Sequence, residues 1–377
     1  MIKNIFNWKS SQVRFHPSFW MMAILLFSLV LLVPSMIVYI GGSNTAPNHG
    51  VGAKQSSTNG TSQTGKASSI TLGWVSGTLP NVQGLADYKN LTVVSPDSAT
   101  IDNHFNLQVN SNAVLTNKIL AEGKVIWARI MMDTDTNTKV HEFLTNHTKT
   151  KQIIKNIHQN AVHNHWYGVN LDIENVSRAD RGAFSQFIKN LSSELNKTSI
   201  VLSIDLPPDP NGRNNNGSPF DHDIIGKYCD YIVFMGYDEH WGTDPVPGPV
   251  TSLSWLKENV QEFIQTGIPA DKIIMGVPGY TRIWQQNPQG KIVKDPAEPI
   301  QYVESLVTKN RRNLSWDPSL GEYYTSYYAN NLQYKIWLPT AKSLNLYIDL
   351  VSKYHLAGSA VWELRFMNAN YWNQIFN

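Results

Sequence analysis

The chain has 377 residues, 42% of them hydrophobic, which is enough for one large core and an ordinary length for a single α/β barrel. A formal net charge of +2, with only 16% charged residues and neither a basic stripe nor a Gly-rich phosphate loop, argues against nucleic-acid and nucleotide partners. The single cysteine, Cys229, excludes an internal disulfide framework and a cysteine-based metal site; set in an apolar run before Asp230, it reads as a small core residue.

The first segment, residues 1–18, is basic through Lys3, Lys9 and Arg14. Residues 19–40 then form an uncharged, largely apolar run of 22 residues, long enough to cross a bilayer as a helix, with Trp20 and Tyr39 near its ends as interfacial anchors. No Lys or Arg follows until Lys54, so the charge bias places the N-terminus in the cytoplasm and everything after the run outside. A cleaved signal peptide has the same basic start, but its apolar region spans only about 7 to 15 residues and it needs a better small-x-small site than Gly41-Gly42-Ser43. The expectation is an uncleaved single-pass anchor with an extracytoplasmic domain, or a secreted protein if the anchor is cut. Residues 41–69 are Gly, Ser, Thr, Asn and Gln with little to bury, and read as a flexible tether.

From residue 70 to the C-terminus, apolar runs alternate with helical patterns. The runs are 70–75, 91–94, 124–130, 168–173, 200–206, 231–234, 273–277 and 359–364, matching the strand count of a (β/α)8 TIM barrel. Between them, Phe184, Phe187, Ile188, Leu191 and Leu195 mark one helix face; Leu253, Leu256, Val260, Phe263 and Ile264 mark a second; Leu344, Tyr347, Ile348 and Val351 mark the last, stopped near Gly358. Such alternation implies parallel strands. Roughly 80 residues separate the seventh and eighth runs, too many for a simple βα unit, so a small insertion is expected over about 281–335. It contains Tyr302, Trp316, Tyr323, Tyr324, Tyr327 and Tyr328, which suit either a mini-core of its own or the wall of a groove.

The fourth run is the most informative. In Tyr167-Gly168-Val169-Asn170-Leu171-Asp172-Ile173-Glu174, side-chain alternation puts Val169, Leu171 and Ile173 on one face and Asn170, Asp172 and Glu174 on the other. Two carboxyls this close on an apolar strand are expensive to desolvate, and their repulsion favours keeping one protonated: a general acid beside a charged partner. Alone, an Asp-x-Glu is more often a solvated strand end. Three other runs end in informative residues: Met235-Gly236-Tyr237-Asp238, Gly276-Val277-Pro278-Gly279-Tyr280 and Ala360-Val361-Trp362.

Together these segments resemble the strand-end motifs of glycoside hydrolase family 18, the chitinase-like barrels. Their fourth-strand signature is Asp-Gly-x-Asp-x-Asp-x-Glu; here the first Asp is Tyr167 and the middle one Asn170, while Asp172 and Glu174 are intact. The resemblance implies catalytic roles for Glu174 as proton donor to the glycosidic oxygen, Asp172 as the group orienting the substrate's N-acetyl, and Tyr237 as donor to the acetamide carbonyl. It implies substrate binding by Asn170, Met235, Asp238, Tyr280 and Trp362, the last as the floor under the sugar, and it places the insertion as a wall of the groove. In this family the substrate's own acetamide oxygen is the nucleophile. Asn170 keeps a hydrogen-bond partner for Asp172 but removes a charge and a proton acceptor, which bears on rate and pH optimum.

Within the family, Met235-Gly236-Tyr237-Asp238-Glu239-His240-Trp241 followed by Pro247-Gly248-Pro249-Val250 is most similar to bacterial spore-germination and cortex-lytic members. Two features depart from them: no LysM repeat stands ahead of the barrel, and Trp337-Leu338-Pro339-Thr340 stands where a Glu-Asp pair usually follows the Trp. The implied function is hydrolysis of β-1,4 bonds in N-acetylglucosamine polymers, peptidoglycan or chitin-like, by a membrane-anchored enzyme. The alternative is a non-catalytic saccharide-binding barrel, and the intact Glu174 speaks against it. No cofactor or metal is expected: His163-Asn164-His165 has no further ligand at suitable spacing and reads as a solvated helix end. His240 suits a structural or a hydrogen-bonding role equally.

Overall fold

The computed structural model describes residues 69–76, 84–110, 112–208 and 217–376. The expected membrane-spanning run and nearly all of the tether lie outside the described residues, and no helix among those described is long and apolar enough to cross a membrane.

Eight parallel strands close into a barrel: β1 (Ile70–Val75), β2 (Val93–Ile101), β3 (Val125–Met132), β4 (Gly168–Asp172), β5 (Val201–Leu206), β6 (Tyr231–Met235), β7 (Ile273–Pro278) and β8 (Gly358–Trp362). Each pairs with the next, and β8 pairs with β1 to complete the ring. The eight apolar runs each fall on one of these strands. A short strand, Leu107–Val109, adds antiparallel to β2.

The ring of helices comprises α1 (Ala113–Ala121), α2 (Asn137–Thr145), α3 (His147–His163), α4 (Arg181–Leu195), α5 (His222–Tyr228) and α6 (Leu253–Gln265), then α7 (Ile300–Lys309) in the insertion and α8 (Ala341–Lys353) before β8. Side chains of Asn112, Thr136, Asn146, Asp221 and Ser252 accept from the first free backbone N–H groups of α1, α2, α3, α5 and α6, which is why these helices start where they do. The α4 stripe is buried in full. On α6 and α8 the stripe narrows, with Leu253, Ile264 and Ile348 only half-buried at its margin.

Two apolar cores result. The larger lies between the strands' outer faces and the helices; the smaller fills the barrel and includes Leu72, Trp74, Trp127, Val233, Met235, Tyr237 and Tyr280. At the lower end Trp127 stacks on Tyr231 with ring centroids 5.2 Å apart. A Cβ at Gly168 would lie 2.6 Å from the Trp127 ring, so the glycine that opens β4 makes room for this plug. Tyr167, one residue before it, is exposed at the end of the barrel away from the strand C-termini.

The segment between β7 and β8 builds a two-stranded pair, Tyr280–Arg282 with Ala297–Pro299, and a five-stranded antiparallel sheet ordered Ile292–Lys294, Trp284–Gln286, Leu332–Leu338, Glu322–Ala329, Ser315–Asp317. Its aromatic residues divide by face. Tyr323, Tyr327 and Tyr334 pack against the larger core, Tyr324 meets Trp337 on the opposite face, and Tyr328 is exposed. Trp284 Nε1 donates to the Gly248 carbonyl at 2.8 Å and Tyr347 of α8 donates to Glu322 at 2.9 Å, which ties the insertion to the barrel.

Candidate active site

Inward-facing side chains of a parallel barrel stack in layers, and the upper layers here split into two halves. On β2 to β5 they are polar: Ser95, Asp97, Arg129, Asn170, Asp172, Ser203 and Asp205. Register sets Asp97 opposite Arg129, Arg129 opposite Asn170, and Asn170 opposite Ser203. The other half is aromatic. Trp74 ends β1, Tyr237 follows β6 and Trp362 ends β8; Trp74 is edge-on to both of the others, while Tyr237 and Trp362 are roughly parallel with centroids 6.1 Å apart. Trp362 is fixed by the next residue, Glu363, whose buried carboxylate accepts from the Ser76 N–H at 2.6 Å and the Ser76 hydroxyl at 2.8 Å.

Asn170 is fully buried, and its amide is fully used. Oδ1 accepts from Trp74 Nε1 at 2.9 Å and Ser95 Oγ at 3.0 Å; Nδ2 donates to Asp205 Oδ1 at 2.7 Å and Ser203 Oγ at 3.1 Å. The expectation that Asn170 hydrogen-bonds Asp172 is therefore corrected. Its donors are committed to Ser203 and Asp205 on β5. Arg129 takes that place: Nε and Nη2 both reach Asp172 Oδ2, at 2.8 and 2.7 Å, while Nη1 pairs with Asp97 and the guanidinium carbon lies 4.7 Å from the centre of the Trp362 ring. Asp172 Oδ1 is buried with no hydrogen-bond partner among the described residues. An unmet buried acceptor of this kind costs about 1–3 kcal/mol, which a bound donor relieves.

A second correction concerns Glu174. β4 ends at Asp172, so Glu174 is not a third member of one strand face but the second residue of the following loop, half-buried. The ladder stops because β5 pairs with β4 only as far as Leu171, and Asp135, in the loop after β3, captures the next backbone groups. Its carboxylate accepts from the Glu174 N–H at 2.9 Å and the Asn175 N–H at 3.2 Å, and the Asn175 side chain donates back to the Asp135 carbonyl at 3.0 Å.

The electrostatics follow from this crowding. Burial, then the charges of Asp172 and Asp135, push the Glu174 carboxyl well above the usual carboxylate range, against an opposing pull from Arg129. Asp205 is pushed well up by burial and then by Asp172, although the Asn170 amide and Arg129 favour its charged form. Tyr237 is raised by burial and by Asp205, Asp172 and Glu174, so its hydroxyl stays a donor. The site thus presents a carboxyl held toward its neutral form, a carboxylate paired with Arg129 through one oxygen, and a phenol donor.

Of the other expected residues, Met235 ends β6 and joins Tyr237 and Tyr280 in the inner aromatic cluster. Asp238, at a left-handed φ of 60°, accepts from the Tyr280 hydroxyl at 2.5 Å and lies 3.7 Å from Arg282, so these three form a bonded unit beside Tyr237. His240 turns Nδ1 to Asp244 and to the Val246 carbonyl, both at 3.0 Å, which makes it a brace of its own loop. His163 and His165 are exposed where α3 leads into β4, at the end of the barrel opposite the site. Cys229 is buried in the core. The sequence reading missed Trp74, Arg129, Asp135 and Asp205. Arg129 and Asp205 carry a signal in retrospect, each being a charged residue inside an apolar run.

The model for "Glycosyl hydrolases family 18" matches residues 86–366. The "Uncharacterized glycosylase YvbX" of Bacillus subtilis (strain 168) is 28% identical over 330 residues, 82% of this chain and 91% of that protein. The "Cortical fragment-lytic enzyme" of Bacillus anthracis is 26% identical over 223 residues, 58% of this chain but only 50% of that protein, so the match spans about half of that relative. Among solved structures, a chitinase from Chromobacterium violaceum superposes with a TM-score of 0.71 at 20% identity, covering 81% of this chain and 98% of the chitinase.

The raised Asp205 acidity has a measurable sign. A carboxyl whose folded pKa exceeds its unfolded value adds stability that is complete below the unfolded pKa and is lost as pH rises toward the folded one. Asp205→Asn keeps the acceptor for Asn170 but never ionises. Relative to wild type, the variant should therefore gain stability as pH is raised from about 4, by up to about 1.4 kcal/mol per pH unit. Urea unfolding at several pH values checks this, and a pH-independent difference would contradict it.

Proposed function

The chain belongs to the glycosyl hydrolases of family 18, and from that premise we propose that it cleaves β-1,4 bonds in N-acetylglucosamine polymers by substrate-assisted, retaining catalysis, with peptidoglycan as the polymer and the cytoplasmic membrane as its anchor. The observation that carries the reading is the geometry at Asp172, one oxygen paired with Arg129 and the other buried and unbonded among the described residues, beside a Glu174 carboxyl that burial and the neighbouring carboxylates push well above the usual range.

The chemistry follows from what each group can do. The sugar rests against Trp362, its acetamide N–H donates to Asp172 Oδ1, and the Tyr237 hydroxyl donates to the acetamide carbonyl. That carbonyl oxygen attacks the anomeric carbon while Glu174 protonates the departing glycosidic oxygen. Asp172 then faces the positive charge of the cyclic intermediate, and Glu174, now a carboxylate, takes a proton from the water that opens it. Attack from the acetamide side followed by water from the opposite side retains the anomeric configuration.

Peptidoglycan is favoured over chitin because a relative's name speaks of cortical fragments and because residues 19–40 read as an anchor facing the wall. Glu174→Gln keeps shape and hydrogen bonding but delivers no proton. Turnover of peptidoglycan glycan strands, read as muropeptides by mass spectrometry, should fall by about two or more orders of magnitude while binding persists. A thiazoline analogue of the intermediate should bind wild type more tightly than the sugar itself. Binding without release of reducing ends by wild type, and no advantage for the thiazoline, would favour a saccharide-binding barrel.

The anchor has its own test. On fractionation, the protein should remain with the membrane and its barrel should be open to protease added from outside. A soluble extracytoplasmic form beginning near Ser43 would show cleavage instead.

A further inference from the structure

We propose that Arg129 is the positioning residue of this active site: from β3 it grips Asp172 by one oxygen and leaves the other turned to the substrate's amide, replacing the hold that a carboxyl at position 170 would supply. The inference rests on the hydrolase reading above, and it assigns the buried Arg129 guanidinium a role that the family signature does not contain.

Three features carry it. First, among the described residues Arg129 is the one side chain bonded to Asp172, since the four bonds of the Asn170 amide go to Trp74, Ser95, Ser203 and Asp205. Second, the grip is one-sided. An arginine fork usually engages both carboxylate oxygens in parallel; here Nε and Nη2 converge on Oδ2, so Oδ1 stays free and buried. Third, the guanidinium is itself fixed: Asp97 lies directly opposite in strand register and binds Nη1, and the Trp362 ring covers the guanidinium face. A lysine, with one point charge, could not satisfy Asp97 and Asp172 in this planar arrangement.

The substitution changes how charge is handled during the reaction. A carboxyl at position 170 could share a proton with Asp172 and so vary its charge. Arg129 does not release its proton and Asn170 cannot accept one. With neither residue able to exchange a proton with Asp172, its orientation is set by Arg129 before substrate arrives. In this chain the charge control has moved from β4 to β3, with Asp97 as its outer support.

The test uses the full chain, with peptidoglycan glycan strands and chitopentaose as substrates, and compares wild type with Arg129→Gln, Arg129→Lys and Asp97→Asn. Thermal midpoints are measured alongside, so that rates refer to folded enzyme. Expected is a fall in kcat of about 100-fold for R129Q, about 10-fold for R129K and a few-fold for D97N, with KM changed less than about threefold and thiazoline affinity falling in step with kcat. A purely structural role would lower the thermal midpoint while leaving kcat of the folded fraction intact. Folded R129Q with kcat within about threefold of wild type would overturn the proposal. If R129Q does not fold, R129K decides in its place, and a wild-type kcat in folded R129K would be equally fatal. An inactive wild type would overturn the hydrolase reading and this inference together, whereas an active wild type with unaffected variants would overturn this inference alone.

Discussion

Everything at the mouth of this barrel depends on one buried guanidinium facing several carboxyl groups. Arg129 meets the charges of Asp172, Asp97 and Asp205. Removing ions from water costs several kcal/mol each even after the protein relaxes, so such a cluster persists only if its members are paired or neutralised. Here both happen. Asp97 and Asp172 pair with Arg129, while Glu174 and Asp205 are held toward their neutral forms by burial and by the charge beside them. Within this cluster Asp172 Oδ1 is left without a partner among the described residues, and an amide N–H from outside the protein would be stabilised there.

The polar half works only because the aromatic half fixes its geometry. Trp74 spans the two: its ring packs edge-on against Tyr237 and Trp362, and its indole N–H holds the Asn170 amide that donates to Asp205. Asp135 does a similar service for the loop, placing Glu174 beyond the strand end, where it is enclosed yet still reaches solvent. The insertion is tied to this frame through the Gly248 carbonyl and α8, and it keeps Tyr324 and Trp337 on the face away from the larger core.

The barrel was legible in the sequence because parallel strands buried on both sides appear as short apolar runs, and helix stripes such as Phe184 to Leu195 repeat at helical spacing. Asp172, Glu174, Tyr237 and Trp362 were legible because they end those runs. Alternation alone carried β4 too far, through Glu174, because it contains no information about where a neighbouring ladder stops or about an Asp135 ready to take the next N–H groups. It also gave Asn170 the wrong partner. Which residues share a layer depends on the register between strands, and the pairing of Asp97 with Arg129 and of Asn170 with Ser203 cannot be read from any one segment. Asp205 and Arg129 were overlooked because a single charged residue in an apolar run suggests a strand end until the fold shows that it faces inward.

We propose that the reacting nucleophile comes from the substrate, with Asp172 orienting it and Glu174 moving the proton. The most direct test is the stereochemistry of the first product. Proton NMR of an N-acetylglucosamine oligomer or glycan strand, recorded in the first minutes of digestion by the full chain, should show the β-anomer appearing first and relaxing slowly to the equilibrium mixture. Initial release of the α-anomer would mean direct attack by water and would contradict the account.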